Sequence, residues 1–346
     1  MLYIQHNHEK GTVVKIKQFS EVQAKILKQL LVDGRKSEKE IAAATGVSEQ
    51  IIKKNYQEME KMGIITGATT HINYKLFGYQ AVSYISINVH SGQADNLIKY
   101  LRGMPDVYAV YSTGVGGSVD CLLILKTFEQ LNEVKDCIKR SFSVLEMKTS
   151  MWTGVREMNY NIAITEGNRK NNELINSEKN SRVTASLMRK TSISLDEIDL
   201  KMADLLTENG RIPIESLGEK LALTTSTAKR KLERLKNNGA LKVTIQINPY
   251  KIGYRALGIF FVVTSDEESN LIIDQLSKIP DIISIMKTSG DYDLQIYAML
   301  QNLDQLLSIQ ESMGKIPGII KIDTELYRFS EKWTKWPTPR QYMSTL

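Results

Sequence analysis

The chain of 346 residues contains an internal repeat, and this repeat limits its possible folds more than any other feature. When the sequence is shifted by 175 residues, ten of the 43 positions from 71 to 113 carry the same residue as their partners, several times the chance level. A shift of 176 aligns the segment before them, where Gly34 and Arg35 match Gly210 and Arg211. Because a chain of this length exceeds what a single core usually holds, we expect two copies of one module.

The first part of each copy predicts three short helices. In copy two, Ser194 and Glu197 have the spacing of a capping box that opens the first helix, and Thr224 is the expected N-cap of the third. The apolar positions of that third helix recur at spacings of four and three: Ala228, Leu232 and Leu235. Copy one repeats the order, with predicted capping boxes at Ser20 and Ser37. Helix, short helix, tight turn and helix is the order of a helix-turn-helix domain.

The third helix of copy two is the stronger candidate for DNA binding. Over residues 224–238, five basic residues outnumber a single acidic one. Hydroxyl side chains at the N-terminus suit close approach to base edges and phosphates, and the helix dipole favours the same site. Lys231 is expected on the same exposed face. The predicted DNA contacts are Thr224, Thr225, Ser226, Thr227, Lys229, Arg230 and Arg234.

The equivalent helix of copy one is a weaker candidate, because residues 48–62 carry no net charge. Its predicted DNA contacts are Ser48, Gln50, Lys53 and Lys54. Ile51 stands where copy two has Thr227. An apolar side chain there could contact a thymine methyl group, or the helix could pack on another domain; both interpretations stay open.

The second part of each copy alternates strands and helices in the order βαββαβ, so the predicted fold class is α+β with an antiparallel sheet covered on one face by two helices. An extra strand is expected in copy one from Arg156 to Ile164. The uncovered sheet faces can close on each other, within one chain or between chains. Cys121 and Cys137 lie among apolar residues and are expected to be inert core residues.

These patterns predict seven segments. They are an N-terminal tail at 1–19, a winged helix-turn-helix at 20–68, a βαββαβ domain at 69–165, a linker at 166–193, a second helix-turn-helix at 194–243, a second βαββαβ domain at 244–330 and a C-terminal tail at 331–346.

Copy two resembles the leucine-responsive regulatory protein and asparagine-synthase regulator (Lrp/AsnC) family of transcription factors. The resemblance is carried by residues 195–199, 208–211, 248–249 and 288–293. It implies a sequence-specific DNA-binding regulator whose paired domains bind an effector, commonly an amino acid. The implied effector residues are Gly290, Asp291, Tyr292 and Asp293. A glycine followed by an aspartate also favours the tight turn of a β-hairpin. An effector site and a purely structural turn therefore both stay open as interpretations. In copy one the turn at 114–118 is longer, and of the carboxylates only Asp120 is retained.

Family members usually carry one copy and assemble as dimers, so a tandem chain departs from that pattern. The expected partners are double-stranded DNA, an amino acid or other small-molecule effector, and a second copy of the chain in a homodimer formed through the effector-domain sheets. The net charge of +6 permits a polyanionic partner without requiring one. No apolar run approaches the ~20 residues of a membrane span, and a cytoplasmic location is expected.

Two other functions compete with a DNA-binding regulator. Siroheme decarboxylases are similar in architecture, but their histidine-containing motif is only faintly echoed at residues 156–161, where Met158 replaces the histidine. The four histidines are scattered, so we expect no catalysis, no cofactor and no metal site. The third possibility is a non-catalytic adaptor that uses the sheets for assembly.

Overall fold

The computed structural model describes residues 20–112, 117–157, 194–265 and 269–329. The predicted tails, the linker and residues 114–116 of the copy-one turn lie outside these ranges. Among the described helices, none combines the length and apolar character needed to cross a membrane.

Copy one begins with three helices and a strand: α1 Glu21–Val32, α2 Glu38–Thr45, α3 Glu49–Lys61 and β1 Ile65–Ile72. The capping boxes predicted at Ser20 and Ser37 are confirmed, since each side chain accepts a hydrogen bond from the backbone three residues later. Gly46 ends α2 in the left-handed conformation, with φ of 71°. This conformation, which favours glycine, turns the chain towards α3.

The second part of copy one has the predicted βαββαβ order. Its elements are β2 Ala81–Val89, α4 Ala94–Arg102, β3 Val107–Ser112, β4 Ser118–Leu125, α5 Glu129–Ser141 and β5 Val144–Glu157. β5 is one strand of 14 residues that runs without a break into the start of the extra strand predicted at Arg156 to Ile164. Its second half continues as a strand because it pairs with copy two. Residues 158–164 of the expected extra strand lie outside the described residues.

Copy two begins with α6 Glu197–Glu208, α7 Ile214–Lys220, α8 Thr225–Asn237 and β6 Leu241–Ile247. The capping box predicted at Ser194 is wrong, since Asp196 is the N-cap of α6. The Asp196 carboxylate accepts the Asp199 N–H at 2.8 Å, and Asp199 in turn accepts the Asp196 N–H at 3.0 Å. Two carboxylates near the positive end of a helix are well placed, which favours this register. The remaining elements are β7 Ala256–Thr264, α9 Ser269–Leu276, β8 Ile282–Gly290, β9 Leu294–Leu300, α10 Leu303–Gly314 and β10 Ile319–Arg328.

The strands of both βαββαβ parts form one eight-stranded sheet in the order β10-β7-β9-β8-β5-β2-β4-β3. Within each copy the first strand lies between the fourth and the third, as the split βαβ arrangement requires. β5 joins the copies by pairing antiparallel with β8, from Ser150 opposite Gly290 to Glu157 opposite Ser284. The sheets of the two copies are therefore hydrogen-bonded within one chain.

A second junction between the copies lies beneath the helix-turn-helix parts. β1 and β6 pair antiparallel, and the Gly34 and Gly210 amides donate across the copies to the Val243 and Ala68 carbonyls, each at 3.0 Å. A Cβ at Gly34 would lie 2.6 Å from the Thr244 carbonyl carbon, so only glycine allows this approach. The matched glycines of the repeat thus mark reciprocal contacts between its copies.

The inner faces of the two sheets share one core. Tyr84 and Leu122 of copy one lie in the same buried cluster as Ile259, Phe261 and Tyr327 of copy two. The opposite faces are covered by each copy's own helices. The sheet faces predicted to need a partner therefore cover each other.

Candidate nucleic-acid interface

The N-terminus of α8 presents hydroxyl groups at the surface. Thr224 caps the helix by accepting the Thr227 N–H at 3.3 Å. Its Oγ1 also lies 3.1 Å from Ser226 Oγ and 2.9 Å from Thr227 Oγ1. Thr224, Thr225 and Ser226 are exposed, and Thr227 is half-buried. Exposed hydroxyls beside unpaired helix amides can approach a phosphate or a base edge.

The basic residues of α8 divide into two groups. Lys229 and Arg230 are exposed, and within the described residues no carboxylate forms an ion pair with either. Lys231 instead lies 2.6 Å from Asp196 Oδ2 and 3.1 Å from Asp199 Oδ1. Hydrogen bonding from Lys231 lowers the pKa of Asp196.

Arg234, predicted to contact DNA, forms an ion pair with the fully buried carboxylate of Asp199 on α6. The Arg234 side chain is still 40% exposed and that of Lys231 17%, but both cations are paired with carboxylates of the same copy. A buried carboxylate needs compensating cations, and these two residues supply them. The cations of α8 available to DNA are fewer than its net charge indicates.

The copy-one helix α3 exposes all four of its predicted contact residues: Ser48, Gln50, Lys53 and Lys54. Ser48 caps the helix by accepting the Ile51 N–H. The Ile51 side chain is 47% exposed, so within the described residues it does not pack on another domain. This geometry leaves Ile51 accessible for an apolar contact.

The two helix-turn-helix parts are held together by a reciprocal pair of arginines. Arg35 donates from Nη1 to the Gly210 carbonyl at 2.7 Å and from Nη2 to the Ile212 carbonyl at 3.0 Å. Arg211 donates back to the Lys36 carbonyl at 3.4 Å, and its guanidinium lies 5.0 Å from the Tyr56 ring centroid. The repeat in the sequence identifies both arginines as matched residues. It does not predict their contacts, because these depend on which segments lie together in the fold. These contacts fix the separation of α3 and α8.

The predicted effector residues lie at the turn between β8 and β9, where their contacts differ. Asp293 accepts the Thr264 N–H at 2.7 Å, so its carboxylate is used within the fold. Gly290 has φ of 139°, and a Cβ there would lie 2.7 Å from the Thr149 carbonyl oxygen of β5. Asp293 is therefore engaged with β7 through one carboxylate oxygen, and Gly290 lies at the strand junction.

Asp291 and Tyr292 line a cavity of about 400 Å³ between the sheets of the two copies. Deeper in the same interface, fully buried Asp120 accepts a hydrogen bond from Tyr327. Burial and the nearby Glu325 carboxylate raise the pKa of Asp120 to about 6. The sequence linked Asp120 to the copy-one turn, whereas the structure places it in the core between the copies.

Comparisons with known proteins give the same picture for the helical parts. A profile of AsnC-type helix-turn-helix domains matches residues 195–236, and one of winged helix-turn-helix DNA-binding domains matches residues 19–66. The HTH-type transcriptional regulator FL11 of Pyrococcus furiosus is 28% identical over 126 residues, covering 36% of this chain and 83% of FL11. The regulator Ptr1 of Methanocaldococcus jannaschii is 26% identical over 113 residues, covering 32% of this chain and 76% of Ptr1. One copy here therefore corresponds to most of a relative.

A solved structure extends the likeness to both copies. The crystal structure of the siroheme decarboxylase NirDL matches with a TM-score of 0.61, covering 88% of this chain and 90% of that chain. The sequences are 13% identical, so the likeness concerns the fold alone.

Proposed function

Because the chain belongs to the Lrp/AsnC family of helix-turn-helix transcriptional regulators, we propose that one chain binds double-stranded DNA through two recognition helices of unequal affinity, α8 and α3. We call these two helices the readers. The observation that carries this proposal is the junction of β1 with β6, which holds both readers in a single chain. α8 enters a major groove and contacts it through Thr225, Ser226, Lys229 and Arg230. α3 contacts the second half-site more weakly, through Gln50, Lys53 and Lys54.

A second copy of the chain is not required for this function. The homodimer expected from uncovered sheet faces would need those faces to be free, and within one chain they contact each other. We propose that a monomer is the DNA-binding unit. Since its readers differ, its binding site is asymmetric, with half-sites separated by about one DNA turn or a multiple of it.

Selection of binding sites from random DNA, followed by footprinting of the full chain, tests this arrangement. We expect two half-sites of different sequence, with affinity that falls steeply as salt rises. A symmetric site with identical halves would contradict a single-chain reader and indicate a homodimer. Failure to bind any selected DNA at low salt would instead favour the adaptor function.

A small-molecule effector is the second part of the proposal. Its support is the cavity between the copies, into which the turn contributes Asp291 and Tyr292. A ligand held by both copies can change their relative position, and so the spacing of the readers. A regulator acts where the DNA is, so the proposed location is the cytoplasm.

The fold shared with NirDL makes a siroheme-decarboxylase-like enzyme the competing function. Four carboxylates and one ammonium group line the described cavity, an unfavourable setting for a tetrapyrrole that bears several carboxylates. We therefore propose that the chain is not an enzyme of this type. A Soret band shift on titration with iron-uroporphyrin at micromolar concentration would contradict this.

A further inference from the structure

The cavity between the copies is bounded by strands of both. Copy one contributes β2, β4 and β5, and copy two contributes β7, β10 and the β8–β9 turn. Of its charged lining residues, Glu146 pairs with Lys148 at 3.4 Å, and Asp323 pairs with Lys321 at 2.6 Å. Asp291 and Glu325 remain, and no described lysine or arginine forms an ion pair with either.

Three aromatic rings form a row along one wall of the cavity. The ring centroid of Phe261 lies 5.5 Å from that of Tyr84 and 5.2 Å from that of Tyr292. Each outer ring ends at a carboxylate: the Tyr84 hydroxyl donates to Glu325 at 3.1 Å, and the Tyr292 hydroxyl donates to Asp323 at 2.6 Å. This wall of the cavity therefore consists of three aromatic rings with a carboxylate at each end of the row.

One end of this row already holds an ammonium group that belongs to the chain. Lys321 Nζ lies 5.7 Å from the Tyr292 ring centroid and 2.6 Å from Asp323 Oδ2. An aromatic face beside a carboxylate is a favourable environment for a cation, because the ring quadrupole and the charge attract it together. The position of Lys321 shows that an aromatic ring beside a carboxylate in this cavity binds an ammonium group.

The other end has the same combination without a cation from the described residues. Glu325 Oε2 lies 3.1 Å from the Tyr84 hydroxyl and 2.7 Å from the Tyr327 hydroxyl, and Asp120 is buried behind them. The Ser150 hydroxyl, on a cavity-lining residue only 7% exposed, has no hydrogen-bond partner within the described part of the chain. A buried hydroxyl without a partner is costly, and a ligand that donates a hydrogen bond would satisfy it.

We propose that this cavity binds a small organic cation with a primary ammonium group, which pairs with Glu325 while its hydrocarbon part lies on the Tyr84 and Phe261 rings. The proposal rests on the regulator function above, since it names the chemistry of the effector. It also departs from an amino-acid effector, because a ligand carboxylate would face the unpaired Asp291 and Glu325. A decarboxylated amine therefore binds more tightly than the amino acid.

Calorimetric titration of the full chain with three matched probes tests this chemistry. Pentylamine carries the ammonium alone, norleucine adds a carboxylate to the same chain, and hexanoate carries the carboxylate alone. We expect pentylamine to bind, norleucine to bind about tenfold more weakly, and hexanoate not to bind. Binding of hexanoate, equal binding of norleucine, or no binding of pentylamine would overturn the proposal.

Two variants locate the site. Glu325→Gln is expected to weaken pentylamine binding about tenfold, and Phe261→Leu about threefold, while the matched control Glu311→Gln on the outer surface of α10 leaves it unchanged. Equal affinity in all three variants would refute this location. If Glu325→Gln does not fold, Phe261→Leu against Glu311→Gln decides. DNA binding by the wild-type chain without amine separates the two proposals, because a chain that binds DNA but no amine refutes only the cavity ligand.

Discussion

The recognition helices α3 and α8 occupy equivalent positions in the two copies, but the first helix of each copy offers them different interactions. In copy two, buried Asp199 of α6 binds Lys231 and Arg234 of α8. The equivalent residue in copy one is Gln23, whose side chain accepts the Ser20 N–H at 3.3 Å and carries no charge. Much of the excess positive charge of α8 therefore fixes the helix in place. Lys229 and Arg230 of α8, which form no ion pair with a carboxylate in the described ranges, have counterparts in Lys53 and Lys54 of α3.

The largest expected difference concerns DNA affinity. Arg230→Glu is expected to weaken binding at least a hundredfold, since it removes an exposed cation from the stronger reader and adds repulsion with phosphate. The equivalent change in α3, Lys54→Glu, is expected to cost about tenfold. Fluorescence anisotropy with a selected site at fixed salt measures both. Equal losses would remove the functional asymmetry between the helices.

A smaller difference is expected in folding stability. Asp199→Ala leaves Lys231 and Arg234 without their buried partner and removes half of a capping box, so we expect a loss of about 2 kcal/mol in the free energy of unfolding. Gln23→Ala in copy one removes only the capping contact and is expected to cost about 0.5 kcal/mol. Urea denaturation of both variants gives the comparison. If the two losses are equal, the ion pairs of α8 contribute nothing net.

The smallest expected difference is between substitutions at the buried residues Asp120 and Gln295, which occupy equivalent positions in the two copies. The pKa of Asp120 is raised in the folded chain to about 6, from an ordinary 3.8, so its ionisation opposes folding. That cost is fully present above pH 6 and disappears as the pH falls towards 3.8. Asp120→Asn is therefore expected to raise the free energy of unfolding by about 1 kcal/mol at pH 7.5.

The same variant should gain little near pH 4, because the folded Asp120 carboxyl is almost fully protonated there and no longer opposes folding as a buried charge. Denaturation at the two pH values gives the test, with Gln295→Asn as the neutral control, whose effect should not depend on pH. A constant gain for Asp120→Asn at both values would show that its carboxyl is not perturbed.

The local elements could be predicted from the sequence, because their signals lie within a few residues. The duplication, the capping residues Ser20, Ser37 and Thr224, and the βαββαβ order are examples. The features that the sequence does not predict depend on distant partners. Arg234 lies 35 residues from Asp199, and β5 continues past Met151 because β8 is beside it. Hydrophobic periodicity carries no information on such pairs.

The candidate site was predictable in part for the same reason. The exposed residues of α8 follow from helical periodicity, since Ala228, Leu232 and Leu235 define the buried face. The cavity between the copies could not be predicted, because it requires Tyr84, Phe261 and Tyr292 to meet from separate strands. The four effector residues implied by the resemblance are consecutive, but in the structure Asp293 accepts a hydrogen bond from Thr264 whereas Asp291 lines the cavity.

The pairing of β1 with β6 inside one chain also changes how the readers respond to dilution. A homodimer separates into single readers when its concentration falls below its dissociation constant, and its affinity for a two-part site then depends on how much protein the cell makes. Readers joined covalently meet at a fixed effective concentration, whatever the copy number. Such a regulator can occupy its site as a few molecules per cell, and its DNA-binding curve stays non-cooperative in protein.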